Sequence, residues 1–330
     1  MDSINENQKR IEWIDALKGF LMFCVTLGHC NIWWPIEQYI YSFHMFLFFF
    51  ISGFLFSVKQ STKRILAKCC LRLLLPFVAW NVLSAMIGFL QSKDLMNLIE
   101  ELFVIKGNLT WNPPIWFLLV LFITEVLFIL LKLYKRTWIS IATIIICLVL
   151  WVLVGSKWLL WKLNLVPMAM AFFLFGYLFK NAVAIFKRWH TIIPLGFGSV
   201  VFSMLNIRIV YTYGHFGNYI YCILAAFCGV LFFVGLFSRV ELISRLSFLK
   251  NWGKNSLIIM AMQYIVFRCV SIVSLNFLNS DLMKWQNSVF SLVLSLFTIL
   301  VITLFVAIFK KLANRIKFLG TIGKAFGINY

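Results

Sequence analysis

Lys18 and His29 stand eleven residues apart in the stretch "IEWIDALKGFLMFCVTLGHC". On an α-helix that interval is three turns to within about 20°. The ammonium and the imidazole therefore share a face, roughly 16 Å apart along the axis. Asp15 lies on a neighbouring part of the same stripe and can pair with Lys18 at i, i+3. The chain has 4 histidines, and a second one, His44, sits in "YSFHMFLFFFISGFLF". Imidazole moves its proton near neutral pH, so these side chains suit general base or nucleophile chemistry. Glu125 is buried in "WNPPIWFLLVLFITEVLF", and Gln263 and Arg268 in "GKNSLIIMAMQYIVFRC". Lys68 and Arg72, at i, i+4 beside "RLLLPFVAW", form a cation pair suited to a polyphosphate.

What makes these residues notable is their setting. The 330 residues are 62% hydrophobic and 12% charged, with a mean hydropathy of +0.94. A soluble domain carries about 25% charged residues. Apolar runs long enough to cross about 30 Å of hydrocarbon recur from end to end. They predict an all-α polytopic membrane protein of about ten spans, over residues 13–33, 37–57, 70–90, 114–134, 138–155, 164–180, 190–206, 217–237, 255–276 and 287–309. An ionisable side chain in such a span is expensive and is a functional candidate by default.

The net charge of +19 is a topology signal in this setting, not a nucleic-acid footprint. Of the 30 Lys and Arg, 22 fall in one alternating set of connections and 6 in the other. By the positive-inside rule both termini are expected in the cytoplasm. The 8 cysteines lie mostly in apolar segments, without metal-site spacing, and read as small buried hydrophobes. The polar N-terminus runs straight into a full span, so no cleaved signal peptide is expected. No repeat or linker divides the chain, which reads as one membrane domain over residues 1–330. The outer connection 91–113 has the apolar spacing of an amphipathic surface helix and carries the sequon Asn108-Leu-Thr110.

This topology puts His29 and His44 at similar depth, on helices joined by a short connection, where both could face one cavity. Gly28, Thr26 and Cys30 leave room beside His29, and Ser52-Gly53 allows close approach near mid-membrane. Other readings exist for each residue taken singly. Lys18 can snorkel to the surface, and His29 can simply lie near the interface. His44 can be a structural histidine. Lys59 and Lys63 read as ordinary positive-inside charge, and Trp111 and Trp116 as an interface belt.

In chain order, "RIEWIDALKGFLMFCVTLGHC", "SFHMFLFFFISGFLF", "KCCLRLLLPFVAW", "NPPIWFLLVLF", "AFFLFGYLFK" and "GKNSLIIMAMQY" resemble the blocks of the membrane acyltransferase 3 family. The branch they look most like is that of the fucose 4-O-acetylase-like and polysaccharide O-acetyltransferases. The resemblance implies transfer of an acyl group, usually acetyl, from cytoplasmic acyl-CoA to a hydroxyl of a cell-envelope or lipid-linked sugar. It implies the plasma membrane of a bacterium, no permanently bound cofactor and acetyl-CoA as donor. It implies His29 as the catalytic histidine, with Lys18 as its basic companion. Lys18, Lys68 and Arg72 would hold the acyl-CoA, although the KxxxR spacing of the last two departs from the RxxR of many members. Gln263 stands where the last block often carries histidine. On this reading Asp15 or Glu125 partners His29, while His44, Ser52, Trp116 and Gln263 line the acceptor cavity. A transporter or flippase of a lipid-linked sugar, and a succinyl transferase, are the competing readings. No metal site and no nucleic-acid partner are expected.

Overall fold

The computed structural model describes residues 11–92, 94, 96, 99–100, 112–278, 280, 282–284 and 287–328. Among these the chain is helical, with a lone β-bridge between Val210 and His215. Eight helices are long and apolar enough to cross a membrane. They include α2 (Trp34–Leu55), α5 (Trp116–Leu130), α6 (Thr137–Val154), α9 (Tyr219–Arg239), α12 (Ser256–Leu278) and α13 (Ser288–Ala313). The helix α7 (Val166–Leu178) completes another span behind a 3₁₀ turn. Two helices of 17 residues, α1 (Glu12–Gly28) and α8 (Trp189–Leu205), occupy the first and seventh expected spans.

Two boundaries differ from the sequence expectation, and one connection takes on helical structure of its own. The first span was expected to reach residue 33, but α1 ends at Gly28. Asn31 adopts a left-handed φ of 49°, and Pro35 opens α2, so the chain turns directly after His29. The connection 58–72 is already helical from Thr62, as α3 (Thr62–Cys69). It passes through a π-helical turn, Cys70–Leu74, into α4 (Leu75–Ser92). Pro76 offers no N–H and its ring crowds the carbonyl four residues back, which a widened turn relieves. The connection 238–254 folds as two short helices, α10 (Glu241–Arg245) and α11 (Ser247–Lys254). The amphipathic helix and the sequon expected in 91–113 lie largely outside the described residues.

Two helix crossings come down to backbone contact. Gly19 of α1 faces Leu249 of α11, where an added Cβ would stand 2.0 Å from the Leu249 carbonyl oxygen. Gly253 answers from α11, with its Cβ position 1.8 Å from the Asp15 oxygen. The α2–α7 crossing repeats the device, with Gly53 against Phe173 at 1.8 Å and Gly176 against Phe50 at 2.0 Å. Lipid tails give little hydrophobic drive between helices, so such close van der Waals contact is what joins them. The seam is reinforced at its end, where the Lys180 ammonium donates to the Phe56 carbonyl.

Because these contacts are backbone to backbone, no rotamer change can absorb a side chain there. Gly53→Val should destabilise the protein by about 1–3 kcal/mol or prevent folding. Thermal unfolding followed by size exclusion in detergent would check this. An unchanged midpoint would show that the α2–α7 seam is looser than described.

Candidate active site

The helices enclose a cavity of about 1740 Å³. From α1 it is lined by Lys18, Met22, Val25 and, just past the helix end, His29. These recur at i, i+4, i+7 and i+11, the shared face expected for Lys18 and His29. From α2 come Tyr41, His44, Phe48 and Ser52, and from α5 Trp116, Leu121 and Glu125. Leu257, Met260 and Tyr264 of α12 close another side. The glycine seams account for the aim of two of these residues. Gly19 and Gly53 point at α11 and α7, and the residues one step earlier, Lys18 and Ser52, turn about 100° toward the cavity.

His29 is held by two phenols. Tyr41 Oη lies 3.3 Å and Tyr264 Oη 3.2 Å from its Nδ1. When Nδ1 carries the proton it donates to a phenol oxygen, and Nε2 keeps a lone pair. His44 is buried and its Nδ1 lies 2.7 Å from the Ile40 carbonyl oxygen. A carbonyl can only accept, so Nδ1 is the protonated nitrogen of His44 and its neutral ring holds the lone pair on Nε2. Tyr41 stands between the two histidines, its ring 6.2 Å from that of His29 and 5.0 Å from that of His44.

Tyr211 completes this cluster and was not singled out from the sequence. It lies in the connection after α8, yet it is 3% exposed, and its hydroxyl donates to the Tyr41 carbonyl at 2.5 Å. Its ring is 5.7 Å from His44 and 6.1 Å from Trp116. Gln38 holds the connection in place by donating to the carbonyls of Ser203 and Asn206, at 2.6 and 2.7 Å. At the same end of the cavity Arg208 donates to Glu37 at 2.5 Å.

The other end is basic. Lys59, Lys68, Arg72 and Lys254 line it, so Lys59, read as ordinary surface charge, belongs to the cavity wall. Arg72 Nη2 donates to both oxygens of Glu125, at 2.5 and 2.6 Å. The Cys69 thiol donates to the same carboxylate at 3.1 Å. Glu125 is 1% exposed in its side chain and Arg72 59%. The carboxylate near mid-membrane thus finds its partner in Arg72, and both its oxygens are occupied there, not at His29.

Asp15 and Gln263 are placed elsewhere. Asp15 is buried on the α1 face that meets α11, four residues before Gly19, and is not among the cavity-lining residues. Gln263 is fully buried, with its amide donating to the Met260 carbonyl at 3.2 Å, and does not line the cavity either. Its neighbour Tyr264, one residue and about 100° further round, is the one that reaches His29. The other candidates, Lys18, His29, His44, Ser52, Lys68, Arg72, Trp116 and Glu125, all line the one cavity.

A chamber with two histidines in its wall, lined by aromatics and enclosed by membrane-length apolar helices, suits chemistry carried out within a membrane. A family model described as an acyltransferase domain, that of the acyltransferase 3 family, matches residues 11–309. The chain belongs to this family and is a membrane acyltransferase. No curated protein and no solved structure matches it.

The Arg72–Glu125 pair should behave as a unit. Glu125→Ala and Arg72→Ala should each lower the unfolding midpoint in detergent. The double variant should fall short of additivity by about 0.5–3 kcal/mol. Strict additivity would mean that the pair is not formed.

Proposed function

We propose that the enzyme moves an acetyl group from acetyl-CoA, entering at the basic end of the cavity, to a hydroxyl of a cell-envelope sugar entering at the Glu37–Arg208 end. The observation that carries this reading is one cavity with two chemically different ends and His29 in its wall. The basic end suits the phosphates of an acyl-CoA. The far end, with Trp116, Tyr211 and Tyr213, offers the flat apolar faces and hydroxyls that sugars pack against and bond to. The lysine-rich end then faces the cytoplasm, in keeping with the charge bias of the connections.

A sugar hydroxyl is a weak nucleophile at neutral pH. In the proposed step its oxygen attacks the thioester carbonyl while its proton passes to His29 Nε2. The carbon–sulfur bond breaks, and the leaving thiolate takes that proton from the His29 imidazolium to depart as CoA thiol, which returns His29 to its neutral form. Tyr41 and Tyr264 hold the His29 ring through Nδ1, and Tyr41 and His44 shape the acceptor side. A relay through an acyl-histidine would use the same Nε2. The spacing of Lys18 and His29 along α1 requires the donor to reach inward with its extended arm, leaving its phosphates behind at the basic end.

His29→Ala should lower acetyl transfer by about 100-fold or more, the usual contribution of a general base. NMR of base-labile O-acetyl groups on surface glycans, with the protein assayed in the membrane fraction, reads this directly. Undiminished acetylation would remove His29 from the chemistry, and a succinyl ester in place of acetyl would correct the donor. Orientation has its own check. In a background without the exposed Cys269, Tyr213→Cys should label with an impermeant maleimide on intact cells. Lys59→Cys should label only after permeabilisation, and the reverse pattern would invert the assignment.

A further inference from the structure

The family domain ends at residue 309, yet the cavity does not. After α13 the chain turns back into α14 (Lys317–Ala325), and Lys324 and Gly327 line the basic end. Several interactions fix this segment in place. The Trp80 indole N–H of α4 donates to the Phe326 carbonyl at 3.1 Å, and the two rings meet edge to face at 5.0 Å. Gly327 takes a φ of +80° and lies so close to Leu257 that a Cβ would stand 2.8 Å from its side chain. The Ile328 amide then donates back to the Gly323 carbonyl at 2.8 Å, and Ile328 itself is buried. A helix end closed in this way holds the residues of its last turn in register.

The charges at this end are unequal. Arg72 is neutralised by Glu125. Among the described residues, Lys254 at the end of α11 and Lys324 of α14 form no ion pair with a carboxylate. They lie on walls built by α11 and α14, apart from the α3 wall that carries Lys68. Leu257, at the start of α12 and three residues after Lys254, is the residue against which Gly327 packs, so the chain just past each lysine comes together there.

We propose that α14 completes the donor site, with Lys324 and Lys254 forming a phosphate-binding subsite that makes the enzyme select phosphate-bearing acyl thioesters. This rests on the reading that acyl-CoA is the donor. Lys68 and the Arg72–Glu125 pair then line the path of the acyl arm, while the tail segment outside the family domain grips the phosphorylated nucleotide end.

The experiment uses the full-length enzyme in proteoliposomes with two donors, acetyl-CoA and S-acetyl-pantetheine, which lacks phosphate. Lys324→Gln and Lys254→Gln should each raise KM for acetyl-CoA about tenfold, the loss of one charge-assisted contact. The kcat for acetyl-CoA and both constants for S-acetyl-pantetheine should hold. Lys324→Arg should restore most of the affinity, and 3′,5′-ADP should inhibit the wild type more strongly than Lys324→Gln. An unchanged KM for acetyl-CoA in Lys324→Gln would overturn the subsite while leaving acyl-CoA as donor. An equal rise for both donors would overturn it as well, since that marks a structural role for α14. A wild-type enzyme that transfers nothing from acetyl-CoA would overturn the donor reading itself.

Discussion

Contact between helix backbones, allowed only by the absence of side chains, is the constraint on which the site depends. At Gly19–Leu249 and Gly53–Phe173 the peptide chains touch, so α1 and α2 cannot slide or roll against their neighbours. That fixes the rotation of the two helices that carry Lys18, His29, Tyr41, His44 and Ser52. Within hydrocarbon, rotation is otherwise weakly specified, because most faces of these helices are equally apolar. The hydroxyls of Thr26, Ser52 and Thr124 add little to the choice, since they bond to carbonyls four residues back on their own helices.

Charge in the cavity follows a second rule. The two carboxylates in its wall, Glu37 and Glu125, each accept from a guanidinium. The pairing cancels the negative charge that would otherwise repel an anionic ligand, while the lysines of the basic end remain in excess. A buried carboxylate with a half-exposed arginine partner also avoids the full cost of burying an isolated ion. The cavity therefore presents cations at one end and hydroxyls, imidazoles and aromatic faces at the other.

Much of this was legible in the sequence because helical periodicity survives in an apolar chain. Lys18 and His29 fall on one face by arithmetic alone, and the expected spans place His29 and His44 near each other. The misses have physical causes. Tyrosine is common at membrane interfaces, so Tyr41 and Tyr264 gave no signal that they hold an imidazole. Tyr211 lies in a connection, and nothing local tells that the connection folds inward. Gln263 and Tyr264 differ by one position, which in a helix of uniform hydropathy is the difference between core and cavity. The place of Asp15 depends on the segment 238–254. The α1 face carrying Asp15 is buried by α11, a short helix that reads as a charged loop.

The π-helical turn at Cys70–Leu74 sets the basic mouth in its own register against the bundle. Such a turn is an α-helix that has taken in one additional residue. An insertion or deletion there leaves α4 seated in the bundle and rotates only what precedes it. From Lys68 to Arg72 the step is four residues, and from Cys69 to Arg72 it is three. Cys69, at the three-residue step, still reaches Glu125 beside Arg72. A change of one residue in this turn would therefore be taken up at the basic mouth and not in the bundle.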